Sequence, residues 1–154
     1  MFVELVAVLV VFVENHFFEP LHCLNFGIDN DQTQNVLWRI ENGELDFEMN
    51  PKIVVLLVGT HNYGNTADQV AEAILKLVEE IRNRLKKTNI IVLSIPPRGR
   101  EINVLREKII RINQLVEKSI LNNGNTDPLV SYLCCSRWHE FVNPQDGFIS
   151  HNDM

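Results

Sequence analysis

The residues best placed for chemistry follow a continuous apolar run near the middle of the chain. Ile53–Val58 contains six apolar residues in succession, and Gly59-Thr60-His61-Asn62 follows at once. Such a run predicts a strand buried on both faces, which is typical of a parallel sheet covered by helices. Open sheets of this kind build their sites at the carboxyl ends of their strands. The sequence therefore predicts a candidate site at the end of this strand.

His61 is the histidine at that strand end, and two interpretations of it are open. It either caps the strand as a polar residue or acts as a general base. A base needs a nucleophile within hydrogen-bond reach and a third group to orient it. Ser94 ends the next predicted strand, but Pro96 and Pro97 follow it, so no helix N-terminus there could help to form an oxyanion site. The capping interpretation is favoured over a Ser94–His61 dyad.

The sequence lacks the motifs of several classes of site. It has neither a G-x-x-x-x-G-K-[ST] phosphate loop nor a G-x-G-x-x-G dinucleotide fingerprint. It has no G-x-S-x-G nucleophile elbow, and its histidines and cysteines do not have zinc-site spacing. The net charge of −6 argues against a nucleic-acid phosphate backbone as partner. Three cysteines without C-x-x-C spacing fit a reduced cytoplasmic protein.

Hydrophobic periodicity predicts alternating strands and helices. The predicted strands are 22–28, 53–58, 89–95 and 129–135, and the predicted helices are Thr33–Asn42, Thr66–Lys87 and Val104–Asn123. The longest helix, which begins at Thr66, has a capping-box sequence with Gln69 at its third position. This order predicts one domain with a three-layer α/β/α sandwich and a mostly parallel sheet. We expect a divergent apolar segment over 1–17, a weakly ordered segment over 125–154, and a fold incomplete at both ends.

The first thirteen residues, MFVELVAVLVVFV, are strongly apolar but do not have the form of a targeting segment. They have no basic region before the apolar run, Glu4 lies inside it, and no small-residue cleavage site follows. Thirteen residues also fall short of the roughly 20 that a helix needs to cross a bilayer. We therefore expect no membrane span here. The segment up to Val13 is instead predicted to form a strand that is buried or covered by a partner.

Four stretches of the sequence resemble one specific family. They are LHCLNFGIDNDQTQNVLWRIENGELD, PKIVVLLVGTHNYGNTADQV, IIVLSIPPRG and LREKIIRINQL, and FVNPQDGFISHNDM adds a fifth. These stretches resemble the catalytic subunits of platelet-activating factor acetylhydrolase IB, which are serine esterases of the GDSL/SGNH type with a flavodoxin-like fold. The resemblance implies hydrolysis of the sn-2 acetyl ester of platelet-activating factor without metal or cofactor. It also implies cytosolic homodimers or heterodimers that bind the WD40-repeat lissencephaly protein.

The catalytic residues of the family do not carry over to this sequence. The family nucleophile lies in a Gly-Asp-Ser upstream of LNFG, and residues 1–17 contain no serine. Asn30 replaces the glycine of N-F-G-I-G-G-D whose N–H is one oxyanion donor, and His61 replaces the asparagine that is the other. The family's Asp-x-x-His pair follows the H-D-M to which Asp153-Met154 corresponds. The family residues retained near the site are Gly27, Gly59, Thr60 and Asn62.

Three interpretations follow from this pattern. The first is a catalytically inactive member, a pseudoenzyme, that keeps a dimer surface or a surface for the WD40 partner. The second is an incomplete or alternatively spliced product of a gene that encodes an active acetylhydrolase. The third, residual esterase activity through Ser94, is the least favoured. Losing the nucleophile of a serine triad lowers turnover by about 10⁶, and losing one oxyanion donor lowers it by about 10²–10³.

Overall fold

The computed structural model describes residues 6–10, 23–98, 103–122 and 127–134, with backbone only for 6–10 and for residue 122. Strands and helices alternate along these residues, as the periodicity predicts. The elements are β1 (Val6–Val10), β2 (Leu24–Asn25), α1 (Thr33–Glu41), β3 (Ile53–Leu57), α2 (Ala67–Arg84), β4 (Asn89–Leu93), α3 (Val104–Asn122) and β5 (Val130–Leu133). The strand predicted over 22–28 is only two residues long here, and His22 lies outside the described residues.

The five strands form one sheet in the order β2-β1-β3-β4-β5, and every pair of neighbours is parallel. β1 lies between β2 and β3, with Val8 opposite both Asn25 and Val55. The strand predicted in the apolar N-terminal segment is therefore confirmed over Val6–Val10, whereas its predicted continuation to Val13 lies outside the described residues. The predicted α/β fold with a parallel sheet is confirmed.

The three described helices lie side by side, with α2 in contact with both α1 and α3. The chain moves across the sheet in one direction from β2 to β5, and right-handed crossovers place the connecting helices on one face. On that face Val54, Leu56, Ile90 and Val92 are at most 2% exposed. The described residues thus contain the sheet and one helical layer of the predicted sandwich.

Helix α2 begins where its capping box predicts. The Thr66 hydroxyl accepts from the Gln69 N–H at 3.3 Å, and the Gln69 side chain accepts from the Thr66 N–H at 2.9 Å. The predicted apolar stripe is buried, with these exposures: Val70 1%, Ile74 3%, Leu77 0%, Ile81 0% and Leu85 1%. The helix ends at Arg84 rather than at Lys87, because Arg82 Nη1 satisfies the carbonyl groups of Leu85 and Lys86 at 3.1 and 2.7 Å.

Helices α1 and α3 also follow their predicted patterns with small corrections. Gly43 has a φ of +99° and ends α1 as predicted. Along α3 the predicted stripe is buried at Ile109, Ile112, Val116 and Ile120, but Leu105 is 39% exposed. Leu105 lies in the exposed first turn of α3, so its predicted place in the buried stripe was wrong. No helix among the described residues has the length and apolarity needed to cross a membrane.

Candidate functional site

The candidate site lies where the residues after β3 meet the loop between β2 and α1. Asn62, five residues after the end of β3, is 2% exposed and holds the two segments together. Its Oδ1 accepts from the Thr33 N–H at 3.1 Å, and its Nδ2 lies 3.0 Å from Thr33 Oγ1. Thr33 is the first residue of α1, so Asn62 satisfies a helix-end N–H that has no partner within the helix. The buried amide thereby fixes the end of β3 against the start of α1.

Lys108 of α3 holds the same residue from the other side. Its Nζ donates to the Asn62 carbonyl oxygen at 2.6 Å and to the Tyr63 carbonyl oxygen at 3.2 Å. Lys108 also borders a small open cavity of ≈ 10 Å³, which has room for about one water molecule. The cavity is lined by Gly59, Thr60, Asn62, Tyr63, Arg98, Leu105, Lys108, Ile109 and Ile112. The exposed Leu105 of α3 therefore belongs to the edge of the candidate site.

His61 is almost fully buried beside this network, with an exposure of 9%. Its ring meets the Tyr63 ring edge-on, with centroids 5.9 Å apart and an interplanar angle of 89°. The Arg98 guanidinium lies over the other ring of this pair, 5.5 Å from the Tyr63 centroid. Burial and the nearby Arg98 charge lower the pKa of His61 below its usual value, and Asp29 opposes them. His61 is therefore held mainly in its neutral form at pH 7.

Asn30 has a left-handed backbone conformation, which glycine adopts without strain. Its φ is +65°, in the left-handed region that asparagine tolerates better than most residues. Its N–H donates to Asp29 Oδ1 at 2.9 Å, and its side-chain Nδ2 donates to Asp29 Oδ2 at 2.9 Å. The N–H that the resemblance assigns to an oxyanion site is thus bonded to a carboxylate of the same loop.

Asp29 joins the two substituted positions. Its Oδ1, which accepts from Asn30, also lies 3.9 Å from His61 Nε2. The Asp29 side chain is 66% exposed, whereas that of His61 is 11% exposed. The structure therefore brings Asn30 and His61 together around one carboxylate. Sequence reasoning missed Asp29, although its position in place of the first glycine of the family's G-G-D was a signal that could have revealed it.

Arg39 of α1 supports the loop from behind. It donates to the Phe26 carbonyl oxygen at 3.0 Å and to Asp31 at 2.6 Å, and it also pairs with Glu44. The side chains of this ion pair are between 10% and 17% exposed. Burial raises the pKa of Glu44, and the Arg39 charge opposes this. Sequence reasoning missed this role, because nothing in the spacing of Arg39 and Asp31 shows that the chain turns back on itself between them.

The two glycines of the predicted set have different roles. Gly59 has a φ of +111°, and a Cβ there would lie 3.0 Å from both Ile95 Cδ1 and Val70 Cγ1. Only glycine therefore suits this position. The Gly27 N–H donates to Asn25 Oδ1 at 2.9 Å and lies at the start of the Asp29 loop.

Ser94, the other predicted candidate, is poorly placed to act as a nucleophile. Ser94 is 3% exposed, and its N–H donates to the Leu133 carbonyl oxygen at 3.0 Å. Its burial leaves no evident path for a substrate to its hydroxyl. Within the described ranges, no cluster of histidine, cysteine, aspartate and glutamate could hold a metal ion.

Comparison with solved structures identifies the fold. A GDSL-like lipase from Bacteroides thetaiotaomicron superposes with a TM-score of 0.71 at 16% identity, over 96% of this chain and 75% of the lipase. A member of the lipolytic G-D-S-L family from Veillonella parvula gives 0.71 at 13% identity, over 96% and 88%. The SGNH-hydrolase family esterase AlinE4 gives 0.59 at 12% identity, over 75% and 71%. The chain therefore has the SGNH hydrolase fold.

Sequence comparison finds more similar relatives among proteins of this fold class. A scan against models of protein families found no match. The platelet-activating factor acetylhydrolase IB subunit beta homolog of Drosophila melanogaster is 49% identical over 91% of this chain and 59% of its own length. The human subunit alpha1 is 45% identical over 89% of this chain and 56% of its own length. The chain belongs to the platelet-activating factor acetylhydrolase IB subunit family. It spans about three-fifths of the length of these curated relatives.

Proposed function

We propose that this chain is a catalytically inactive member of its family that acts as a binding subunit in the cytoplasm. The arrangement of Asp29, Asn30 and His61 carries the proposal. Both positions that the resemblance assigns to oxyanion donors are substituted, and both now face a carboxylate that repels negative charge. Since one lost donor lowers turnover by about 10²–10³, the two together remove most of the stabilisation of an ester-hydrolysis transition state.

The absence of serine from residues 1–17 supports the same proposal. The resemblance places the nucleophile there, at the end of the strand that β1 represents. A missing nucleophile costs about 10⁶ in turnover, a loss that no donor group can compensate. Meanwhile the supporting side chains Asn62 and Arg39 keep their bonds to other segments of the chain. The chain keeps the fold of the family around a site without its usual chemistry.

The activity half of the proposal is tested with the full chain and an sn-2 acetyl phospholipid. We expect no hydrolysis above background and no labelling by a fluorophosphonate probe, with an intact family subunit assayed in parallel as the positive control. Serine-dependent turnover or labelling would contradict the proposal. If labelling occurs and Ser94→Ala abolishes it, residual esterase activity through Ser94 is the correct interpretation.

The binding half concerns a related subunit and the WD40-repeat lissencephaly protein. Trp38 of α1 is 64% exposed, and an exposed tryptophan is the type of residue that dominates binding energy when a partner covers it. We expect the chain to co-purify with one of these partners and Trp38→Ser to weaken the association. Glu72→Ser on the exposed part of α2 serves as the matched control. Failure to bind either partner would contradict this half of the proposal.

A second candidate is that the chain is part of a longer, active acetylhydrolase. Its length, about three-fifths that of the relatives, favours this candidate. The substitutions at Asn30 and His61 oppose it, because they lie inside the matched region. Sequencing the full transcript discriminates the two: a reading frame with an upstream Gly-Asp-Ser and a downstream Asp-x-x-His supports the second candidate, and its absence supports the first.

A further inference from the structure

Asn113 of α3 binds the backbone after β4 in the way that a neighbouring strand would. Its Oδ1 accepts from the Ile95 N–H at 2.9 Å, and its Nδ2 donates to the Ile95 carbonyl oxygen at 2.9 Å. Ile95 follows the end of β4 at Leu93 and is 2% exposed. A buried backbone N–H and C=O need such partners where no strand supplies them. Asn113 therefore fixes the chain at the point where it leaves the sheet.

The proline segment, residues 96–98, transmits this fixed position to Arg98. Pro96 and Pro97 come directly after Ile95, and each proline ring holds its φ near about −65°. At the other end of the segment, the Arg98 carbonyl oxygen accepts from Asn103 Nδ2 at 3.1 Å. Asn103 directly precedes the first residue of α3. Two amide side chains, one within α3 and one at its start, thus anchor both ends of the proline segment.

The anchored segment places Arg98 at the candidate site. The Arg98 guanidinium lies 5.5 Å from the Tyr63 ring centroid, within the range of a cation–π contact. The Tyr63 ring in turn meets the His61 ring edge-on. The charge of Arg98 disfavours the protonated form of His61, and the charge of Asp29 favours it. Lys108 approaches from α3, where its Nζ donates to the Tyr63 carbonyl oxygen at 3.2 Å.

We propose that Asn113 is a positioning residue of the candidate site, because it fixes the start of the proline segment and so holds Arg98 over the Tyr63 ring. In the described part of the chain, Asn113 bonds to Ile95 and to none of the charged groups around His61. Its effect on His61 therefore passes through Arg98. The inference goes beyond the proposed function and does not depend on it, since it concerns the charge around His61 rather than hydrolysis or a partner.

The test is a pH titration of the full chain, followed by the nuclear magnetic resonance shift of the His61 ring, which is assigned by its loss in His61→Gln. Without Asn113 the proline segment is released and Arg98 can move away from the site, so His61 becomes easier to protonate. We expect Asn113→Ala to shift the titration midpoint upward by most of the shift that Arg98→Met causes. Gln114→Ala, at the next and exposed position of α3, is the matched control and should leave the midpoint unchanged.

A double variant tests the route through Arg98. Asn113→Ala combined with Arg98→Met should titrate like Arg98→Met alone, because Asn113 has no charge left to position. An unchanged midpoint in Asn113→Ala would overturn the inference, as would an unchanged midpoint in Arg98→Met or a further rise in the double variant. Should alanine prevent folding, Asn113→Ser carries a hydroxyl that is too short to bond both backbone groups of Ile95, and the same outcomes apply.

Discussion

Two groups of residues at the candidate site differ in their bonding partners. One is the supporting network, and the other is the loop that contains Asn30 and Asp29. Asn62 and Arg39 are largely buried, and their partners lie on distant segments of the chain. Asn30 and Asp29 bond mainly to each other across one peptide unit, and Asp29 is largely exposed. The first group holds elements together, whereas the second decides what the site can do. The fold around the site is therefore kept although Asn30 and His61 depart from the family sequence.

The largest expected effect comes from Arg39→Met, which breaks the supporting network. It leaves Asp31 and Glu44 as two largely buried carboxylates without their cation. Removing one partner of a buried ion pair costs about 3–5 kcal/mol, and the small residual exposure places this variant near about 3 kcal/mol. Urea unfolding at pH 7 measures this loss in the free energy of unfolding.

A control variant and a change of pH test whether this loss comes from the buried ion pairs of Arg39. Arg84→Met breaks a surface pair with Glu80 on α2 and should lower the free energy of unfolding far less than Arg39→Met does. The loss in Arg39→Met should also shrink near pH 4, because burial raises the pKa of Glu44 and protonation removes its uncompensated charge. A loss in Arg39→Met no larger than in Arg84→Met would show that the network does not support the fold.

Asn62→Ala removes the buried amide that joins β3 to α1. The Thr33 N–H then has no partner in a buried position, which costs about 1–3 kcal/mol. We expect a loss of about 2 kcal/mol in the free energy of unfolding. Asn42→Ala, at an exposed helix end, is the matched control and should stay within about 0.5 kcal/mol. Similar losses in the two variants would contradict the assigned role of Asn62.

The free energy of unfolding should depend on pH because of His61. A histidine pKa lowered by folding gives a stabilisation that is complete above its usual value of 6.5 and is lost as the pH falls through the folded value. One such proton gives a slope of at most about 1.4 kcal/mol per pH unit. Urea unfolding between pH 5 and pH 8 should show this decline, and His61→Asn should remove its share.

Asp29→Ala extends the same measurement. Asp29 is the group that raises the pKa of His61, so its removal should lower that pKa further and strengthen the loss of stability at acid pH. An identical pH profile for the unsubstituted chain and His61→Asn would show that His61 does not titrate in this range. In that case His61 would contribute to stability through its burial and not through its charge.

The smallest effect is expected far from the site, at the ion pair between Arg82 and Asp127. The Arg82 charge and the Leu129 N–H lower the pKa of Asp127, so its stabilisation is present above about 3.8 and lost as the pH falls. Because the pair is partly exposed, Asp127→Asn should cost only about 0.5 kcal/mol at pH 7. Chemical denaturation at pH 7 and pH 2.5 measures the difference, which should vanish at the lower pH. Asp68→Asn, in a longer and exposed pair, is the control.

Local patterns in the sequence predicted most of the fold. The capping box at Thr66 and the apolar stripe of α2 are set by residues three and four positions apart, so the sequence alone shows them. The end of α2 at Arg84 was not predicted, because it depends on the Arg82 side chain folding back to the carbonyl groups that follow the helix. Short-range signals were therefore reliable, and side-chain contacts at helix ends were not.

The candidate site was only half predictable for the same reason. The end of β3 was predicted from its polar residues after an apolar run, and the substitutions at Asn30 and His61 were visible by resemblance. The contact of Asp29 with His61 joins residues 32 positions apart and depends on how two loops approach each other. Arg39 and Lys108 reach the site from helices, through contacts that no spacing in the sequence indicates.

The close packing at Gly59 has a consequence for how the end of β3 can be engineered. No side chain fits between Val70 and Ile95, so position 59 is closed to variation, whatever reaction is sought. His61, two residues later, is not part of that contact. A combinatorial library should therefore hold position 59 fixed and vary positions 29, 30 and 61. In such a library new chemistry can be selected while the packing of α2 against the sheet is kept.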